Sequence, residues 1–574
     1  MKCMKTTNLF GIIALFCLIC LKGMSQTSTL PAEDELTKRG EVYFRFRNTP
    51  FLDMSRITKL VSVDHASNLQ WIYAYANQVE FKNFKGLNIA YEMLQHPGTL
   101  IIPRMENNID LNSKPDWDFY PTYEAYVDLM DQFSLAYPAL CAVFTLGTTV
   151  EGRDLLVAKI SANVDIQEAE PRFLYVSSIH GDELTGYVLM LRLIDYLLTH
   201  YGYDPKVTGL LDHTEIWINP LANPDGTYAG GNETVFGATR YNSNNVDLNR
   251  NYPDPQDGPH PDGNGWQPET EAFMNLADSV KFIMAANFHG GAEVFNYPWD
   301  TWSQLHADDD WWQFVGREWA DTVHEHSPAG YFDDQDNGIT NGFAWYEVNG
   351  GRQDFMNYFH ECREVTVEIS NVKIIPESQL PEFWEYNYRS FLNYMYQSRF
   401  GFRGSVSDSA SGNPLPATIT VLNHDNNNSS VSTDADGNYY RVIFEGTYDV
   451  KFAATGHKSK IIESVEVVNM QSLQLDVQLA EGSDGLNEIK PGGYFEIKNN
   501  HAKGTILISY SGSEPVQAVI SIVNVKGSIV LSLHNTFGKE SQTLSIQVNH
   551  LKPGLYITNI IAGIESFSGK IILR

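Results

Sequence analysis

His180 and Glu183 stand three residues apart, where the apolar run Phe173–Ile179 (FLYVSSI) gives way to a helical pattern starting at Leu184. At that spacing one turn of chain points an imidazole and a carboxylate at the same ion. His289, at the end of a second apolar run (FIMAANF, from Phe282), is a candidate third ligand. Two histidines, one carboxylate and an open fourth position for water make a catalytic zinc arrangement. Structural zinc favours a closed, cysteine-rich shell, and only Cys141 and Cys362 lie beyond residue 25. The competing reading is a core histidine beside a carboxylate favoured by a helix N-terminus.

Residues 240–252 add a second kind of chemistry. Arg240, followed by Asp247, Asn249 and Arg250, brings two guanidinium groups and an amide into one loop. Guanidinium forks match carboxylates, so beside a zinc water they suit a substrate's terminal carboxylate and a developing oxyanion. Asp247 is placed to orient a ligating histidine from behind. Taken alone, the stretch reads equally as a polar surface loop.

These groups need elements to bring them together. Between Tyr120 and about Phe400 apolar strands, including EIWIN (Glu215–Asn219) and EVTVEI (Glu364–Ile369), alternate with helical patterns such as Leu184–Tyr201 and Glu269–Ser279. Continuous apolar strands with intervening helices imply an α/β sheet covered on both faces. Ligands gather outside the carboxyl ends of such strands, so residues distant in sequence converge there. His180, His289 and Glu368 all stand at or near strand ends.

In chain order, His180-xx-Glu183, Asn249-Arg250, His289-Gly-Gly, Tyr346 with Gly350-Gly351, and Glu368 resemble the zinc metallocarboxypeptidases over residues 120–400. The form is similar to the carboxypeptidase N/E (regulatory) branch, whose members carry a transthyretin-like β-sandwich behind the catalytic domain. The resemblance implies one Zn2+ held by His180, Glu183 and His289, with Glu368 as general base. It implies Arg240 at the oxyanion, and Asn249, Arg250 and Tyr346 on the substrate's C-terminal carboxylate. Tyr297-Pro298-Trp299-Asp300 and Gln353 match that branch's specificity positions, so Asp300 with Gln353 implies a C-terminal Lys or Arg. Arg352 departs from the apolar residue usual there, and its charge would weaken a basic preference.

The expected fold is a mixed-sheet α/β catalytic domain (118–400) with helices on both faces. A small α+β domain (26–115) precedes it, and two β-sandwich domains (401–480 and 487–574) follow. Residues 41–97 look similar to the prosegment of digestive carboxypeptidases, which implies shielding of the site or assistance in folding. Residues 490–574, with Pro553-Gly554-Leu555-Tyr556-Ile557, resemble the C-terminal sorting domain of the type IX secretion route, implying the secretion machinery as a partner. Residues 1–25, with Lys2, Lys5 and an apolar stretch Leu9–Leu21, read as a cleavable secretory signal, and no later run is long and apolar enough to span a membrane. The expected location is therefore secreted or at the cell surface.

Composition narrows the partners. The 574-residue chain has 40 Lys+Arg against 70 Asp+Glu, a net charge of −30. Residues 1–25 hold three lysines and no acid, so without them it is −33. That field repels phosphate backbones and argues against nucleic acid. Peptide or protein C-termini are the expected substrate. The alternatives are a carboxypeptidase trimming peptidoglycan peptides and a catalytically silent surface binding module. His306, His324, His326 and the run Asp308-Asp309-Asp310 read as solvated surface groups, and Asn423–Ser430 as a solvated loop. Cys141 and Cys362 read as buried small hydrophobes, with pairing left open. Asp254–Gly265 has the composition of a calcium loop but not its spacing.

Overall fold

The computed structural model describes residues 32–64, 67–482, 494–500, 505–512, 515–524, 529–539, 542–562 and 565–573. The leader and most of the link after Glu481 lie outside the described residues. The chain divides into two compact units at Gly482.

The first unit begins with a four-stranded antiparallel sheet in the order β2-β3-β1-β4, made of β1 (Glu41–Arg47), β2 (Ser62–Val63), β3 (Trp71–Asn77) and β4 (Tyr91–Met93). Alternation decides its faces. Val42, Phe44 and Phe46 pack with Phe81 and Phe84 of the helix Gln78–Lys85, while Tyr43 and Tyr75 point to the opposite face. Asn77 starts that helix with a capping box closed by Glu80. A short pair, β5 (Met105–Glu106) with β6 (Tyr120–Pro121), leads into the central sheet.

The central sheet has eight strands in the order β13-β12-β14-β11-β9-β10-β8-β7. They are β7 (Cys141–Thr148), β8 (Asp154–Ile160), β9 (Arg172–Ser177), β10 (Glu215–Asn219), β11 (Met284–His289), β12 (Ala292–Tyr297), β13 (Ile339–Asn341) and β14 (Arg363–Ser370). Its middle strands β10, β9, β11 and β14 run parallel, and β7, β8 and β12 add antiparallel pairings. Two apolar clusters form around it. One gathers residues of the helices Tyr123–Ala136, Thr185–His200, Asp309–His326 and Leu380–Gln397, and the other those of the helices Pro268–Ser279 and Arg352–His360. Every residue of β10, β11, β12 and β14 is buried, as expected for strands covered on both sides. Cys141 and Cys362 are buried and unpaired, one in each cluster.

Behind the central sheet, β15 (Gly401–Asp408) to β22 (Val477–Leu479) form two small sheets around one apolar core. The second unit holds a three-stranded and a four-stranded antiparallel sheet from Tyr494 onward, around a core of Phe495, Ile506, Ile520, Phe537 and Ile560. No helix among the described residues is long and apolar enough to cross a membrane.

Candidate functional site

The carboxyl ends of the parallel strands carry the proposed chemistry. β9 ends at Ser177, and Ser178, in a left-handed conformation, turns the chain so that His180 and Glu183 precede the helix Thr185–His200. β11 ends on His289, and the parallel register sets His289 directly opposite Glu368 of β14. A shared register places the two side chains at one level of the sheet without further packing devices.

The ligand atoms of His180, Glu183 and His289 lie within 4.8 Å of one another, the one group of three metal-ligating side chains found among the described residues. His180 Nδ1 and His289 Nδ1 face each other at 3.0 Å, and each stands 2.8–3.0 Å from a Glu183 oxygen. On its far side, Nε2 of His180 meets Asp247 Oδ1 at 3.1 Å, which turns Nδ1 inward. Two inward nitrogens and a carboxylate, all buried, form a donor set that a zinc ion satisfies. Among charges that oppose or favour ionisation, burial alone would raise Glu183, but His180, Lys373 and His289 outweigh it and hold Glu183 well below the usual carboxylate range. Burial pushes Glu368 the other way, up to about 8, against the pull of His289.

The loop residues predicted around this centre are here too. Arg240 is 1% exposed, and its Nε donates to Asp247 Oδ2 at 3.0 Å. Its Nη2 has no protein partner among the described residues, leaving one donor for a ligand. Asn249, Arg250, Asp300 and Tyr346 line one narrow cavity with Asn296, Gly342 and Thr366. Gln353 borders it indirectly, its Oε1 accepting the Thr366 amide at 2.7 Å. Burial pushes Asp300 up to about 7, opposed by a hydrogen bond from Asn296 and by the charge of Arg250. Arg352, expected to weaken the pocket's preference, is buried and paired with Glu364 at 3.0 Å, over the Phe273 ring. It is not among the cavity's lining residues.

Several participants carry no motif in the sequence. Lys373 Nζ reaches Glu183 Oε1 at 2.7 Å and the Gly290 carbonyl at 2.6 Å. Asp354, next to Gln353, accepts the amides of Asp300 and Thr301 at 3.0 and 2.8 Å. Its position one residue past Gln353 was the available signal. Residues of the N-terminal sheet also reach the site. Ser62 donates to Asp247 at 2.6 Å, Tyr75 to Asp182 at 2.8 Å, and Asp64 pairs with Lys373 at 2.8 Å. Glu41 accepts the backbone amides of Arg240 and Tyr241 at 2.8 and 3.0 Å. Nothing local in the sequence links strand residues of one element to catalytic loops far downstream.

Two expectations are corrected. His306 and Asp308 are not solvated: His306 is 2% exposed, packed on Trp299 and Trp312, and Asp308 pairs with Arg363 and Arg441. The loop at 423–430 is likewise partly buried, with Ser429 1% exposed and Asp425 bonded to Arg441. Packing of the β-sandwich against the catalytic unit removes Asp308 and this loop from water, and Trp299 and Trp312 cover His306. Asp254 is buried as well; it accepts the Thr301 hydroxyl and the Gly350 amide, an anchoring role for loops.

Comparison with known proteins agrees with this geometry. The zinc carboxypeptidase family matches residues 126–390, the carboxypeptidase regulatory-like domain 401–480, and the secretion system C-terminal sorting domain 500–574. Carboxypeptidase D of Rattus norvegicus is 34% identical over 472 residues, covering 76% of this chain and 32% of that protein. The chain thus spans about a third of that relative's length. Carboxypeptidase M of Mus musculus is 36% identical, covering 56% of this chain and 75% of that protein. For the carboxypeptidase N catalytic chain of Homo sapiens the values are 34%, 57% and 78%. With the matched domains in order and relatives of this similarity, the chain belongs to the zinc carboxypeptidase family.

Proposed function

We propose that this protein is an exported zinc carboxypeptidase that removes C-terminal residues, Lys or Arg by preference, from peptides or proteins. The observation that carries the reading is the convergence of His180, Glu183 and His289 with Glu368 in register beside them. A zinc ion held by these three residues would lower the pKa of a bound water to about 7 and polarise the scissile carbonyl.

The chain's own groups supply the rest. Glu368 takes a proton from the attacking water and delivers it to the leaving amine, a transfer commonly worth about 10² to 10⁴ in rate. The free Nη2 of Arg240 donates to the carbonyl oxygen as negative charge develops on it. Arg250, Asn249 and Tyr346, gathered in one cavity, hold the terminal carboxylate and so restrict cleavage to the last bond. Asp300 ionises against a bound ammonium or guanidinium and selects the basic side chain. The net negative charge of the whole molecule favours approach of cationic peptides.

The N-terminal sheet is proposed to hold the enzyme latent until it is displaced. It contacts Asp182, Lys373, Asp247 and the Arg240 loop, and with the sheet in place Glu368 and Arg240 are 0 and 1% exposed. The leader and the C-terminal sorting domain support export by the type IX route.

The test is hydrolysis of matched peptides ending in Arg, Lys, Phe or Glu by residues 26–482, before and after limited proteolysis of the N-terminal unit, with and without a zinc chelator. Chelator-sensitive release of Arg and Lys is expected. Release of Phe or Glu instead would keep the chemistry and overturn the specificity; no release from a zinc-loaded, uncovered site would overturn the activity.

A further inference from the structure

The stretch from Asp300 to Asp308 is pinned at both ends by buried carboxylates. At the near end Asp354 accepts the amides of Asp300 and Thr301. At the far end Asp308 accepts Nε and Nη2 of Arg363 at 3.0 and 2.8 Å, and Nη1 and Nη2 of Arg441 at 2.9 and 2.8 Å. Arg363 opens β14, the strand of Glu368. Arg441 comes from the β-sandwich, at the end of the strand Asn438–Arg441.

Physical contact runs from the far pin back to the specificity residue. The Asp308 amide donates to His306 Nδ1 at 3.0 Å, and the His306 ring lies 4.9 Å from that of Trp299, the residue before Asp300. Trp299 is fully buried and also meets Trp302 and Tyr358. The sandwich touches this aromatic group a second time, where Asn428 donates to the Tyr358 carbonyl at 3.3 Å.

Charge explains why Arg441 matters within this arrangement. Arg363 and Arg441 balance Asp308 and Asp425, and Arg441 bonds to both acids. A planar fork fixes direction as well as charge, which lysine does not reproduce. Without it, Asp308 keeps one guanidinium and, from the sandwich, only the longer 3.8 Å approach of His424 Nε2.

We propose that Arg441 is a positioning residue for the specificity loop: through Asp308, His306 and Trp299 the β-sandwich fixes where the Asp300 carboxylate stands. This rests on the reading of Asp300 as the specificity group, and its test is chosen to be separable from that reading. Amide hydrogen exchange at Asp300 and Thr301 is measured in the full zinc-loaded chain for Arg441→Met and Arg441→Lys, with Asp354→Ala as the variant that removes the near pin. Arg441→Met is expected to speed exchange at the two amides about tenfold while β11 and β14 stay within about twofold of wild type, with Arg441→Lys between. Unchanged rates at Asp300 and Thr301 in both variants would overturn the proposal. So would equal acceleration across the catalytic unit, or failure of Arg441→Met to fold together with wild-type rates in Arg441→Lys. The ratio of Arg to Phe release by wild type tests the pocket itself and is independent of these rates.

Discussion

Glu183 and Glu368 show how one small space pushes two carboxylates to opposite sides of the usual range. Cationic partners hold Glu183 ionised, while burial raises Glu368 to about 8 and favours its protonated form at neutral pH. Glu368→Gln keeps the shape and removes the base, so turnover should fall by about 10² or more with zinc content unchanged, checked by metal analysis alongside peptide hydrolysis. Retained turnover would assign the base elsewhere. Asp300 carries its own pH signature. Its pKa is raised from 3.8 to about 7, so below pH 7 it is largely neutral and offers no charge to a basic side chain. KM for Arg-ended peptides is therefore expected to fall as pH rises from 6 to 8, with Phe-ended peptides unaffected; parallel pH profiles would remove Asp300 from the pocket. The linkage sign follows from the same shift. Between pH 3.8 and 7 the folded chain keeps a proton that the unfolded chain releases, so Asp300 lowers stability as pH rises through that window.

Strand ends and loops contribute unequally to what could be read in advance. β9, β10, β11 and β14 were legible as apolar runs, and their carboxyl ends located His180, His289 and Glu368, because a strand fixes side-chain direction from sequence alone. The loops were harder. Asp308 stands in a row of three aspartates that resembles a solvated run, and only the approach of Arg363 and Arg441 from distant elements buries it. His306 likewise becomes a core residue through Trp299 and Trp312, which no local pattern announces. Gly342 shows how tightly the pocket's elements meet, since a Cβ there would land on the Asp300 carboxylate. Gly342→Ala should displace Asp300 and lower the preference for Arg over Phe by about tenfold with little loss of kcat on Phe-ended peptides. Kinetics on the two peptides decide it, and an unchanged ratio would mean that the pocket accommodates the methyl.

At the scale of the molecule, the proposed latency depends on surfaces buried between the N-terminal sheet and the catalytic loops, not on blockage by one side chain. Peptide hydrolysis by the full chain should rise at least tenfold when the N-terminal unit is cut away and separated, at unchanged zinc content. No rise would show that substrate reaches the site with the sheet in place. The sorting domain forms its own compact unit around its own core, so removing residues 483–574 should leave kcat/KM within about twofold. The tether joining sheet and cleft has a further consequence. While the chain is intact, Ser62, Asp64 and Tyr75 meet their partners at an effective concentration of about millimolar, whatever the amount of enzyme in solution. Once the connecting chain is cut, the same contacts obey mass action, and the sheet becomes a dissociable inhibitor whose hold weakens on dilution. An enzyme carried out of a crowded compartment would then switch on through the volume it enters.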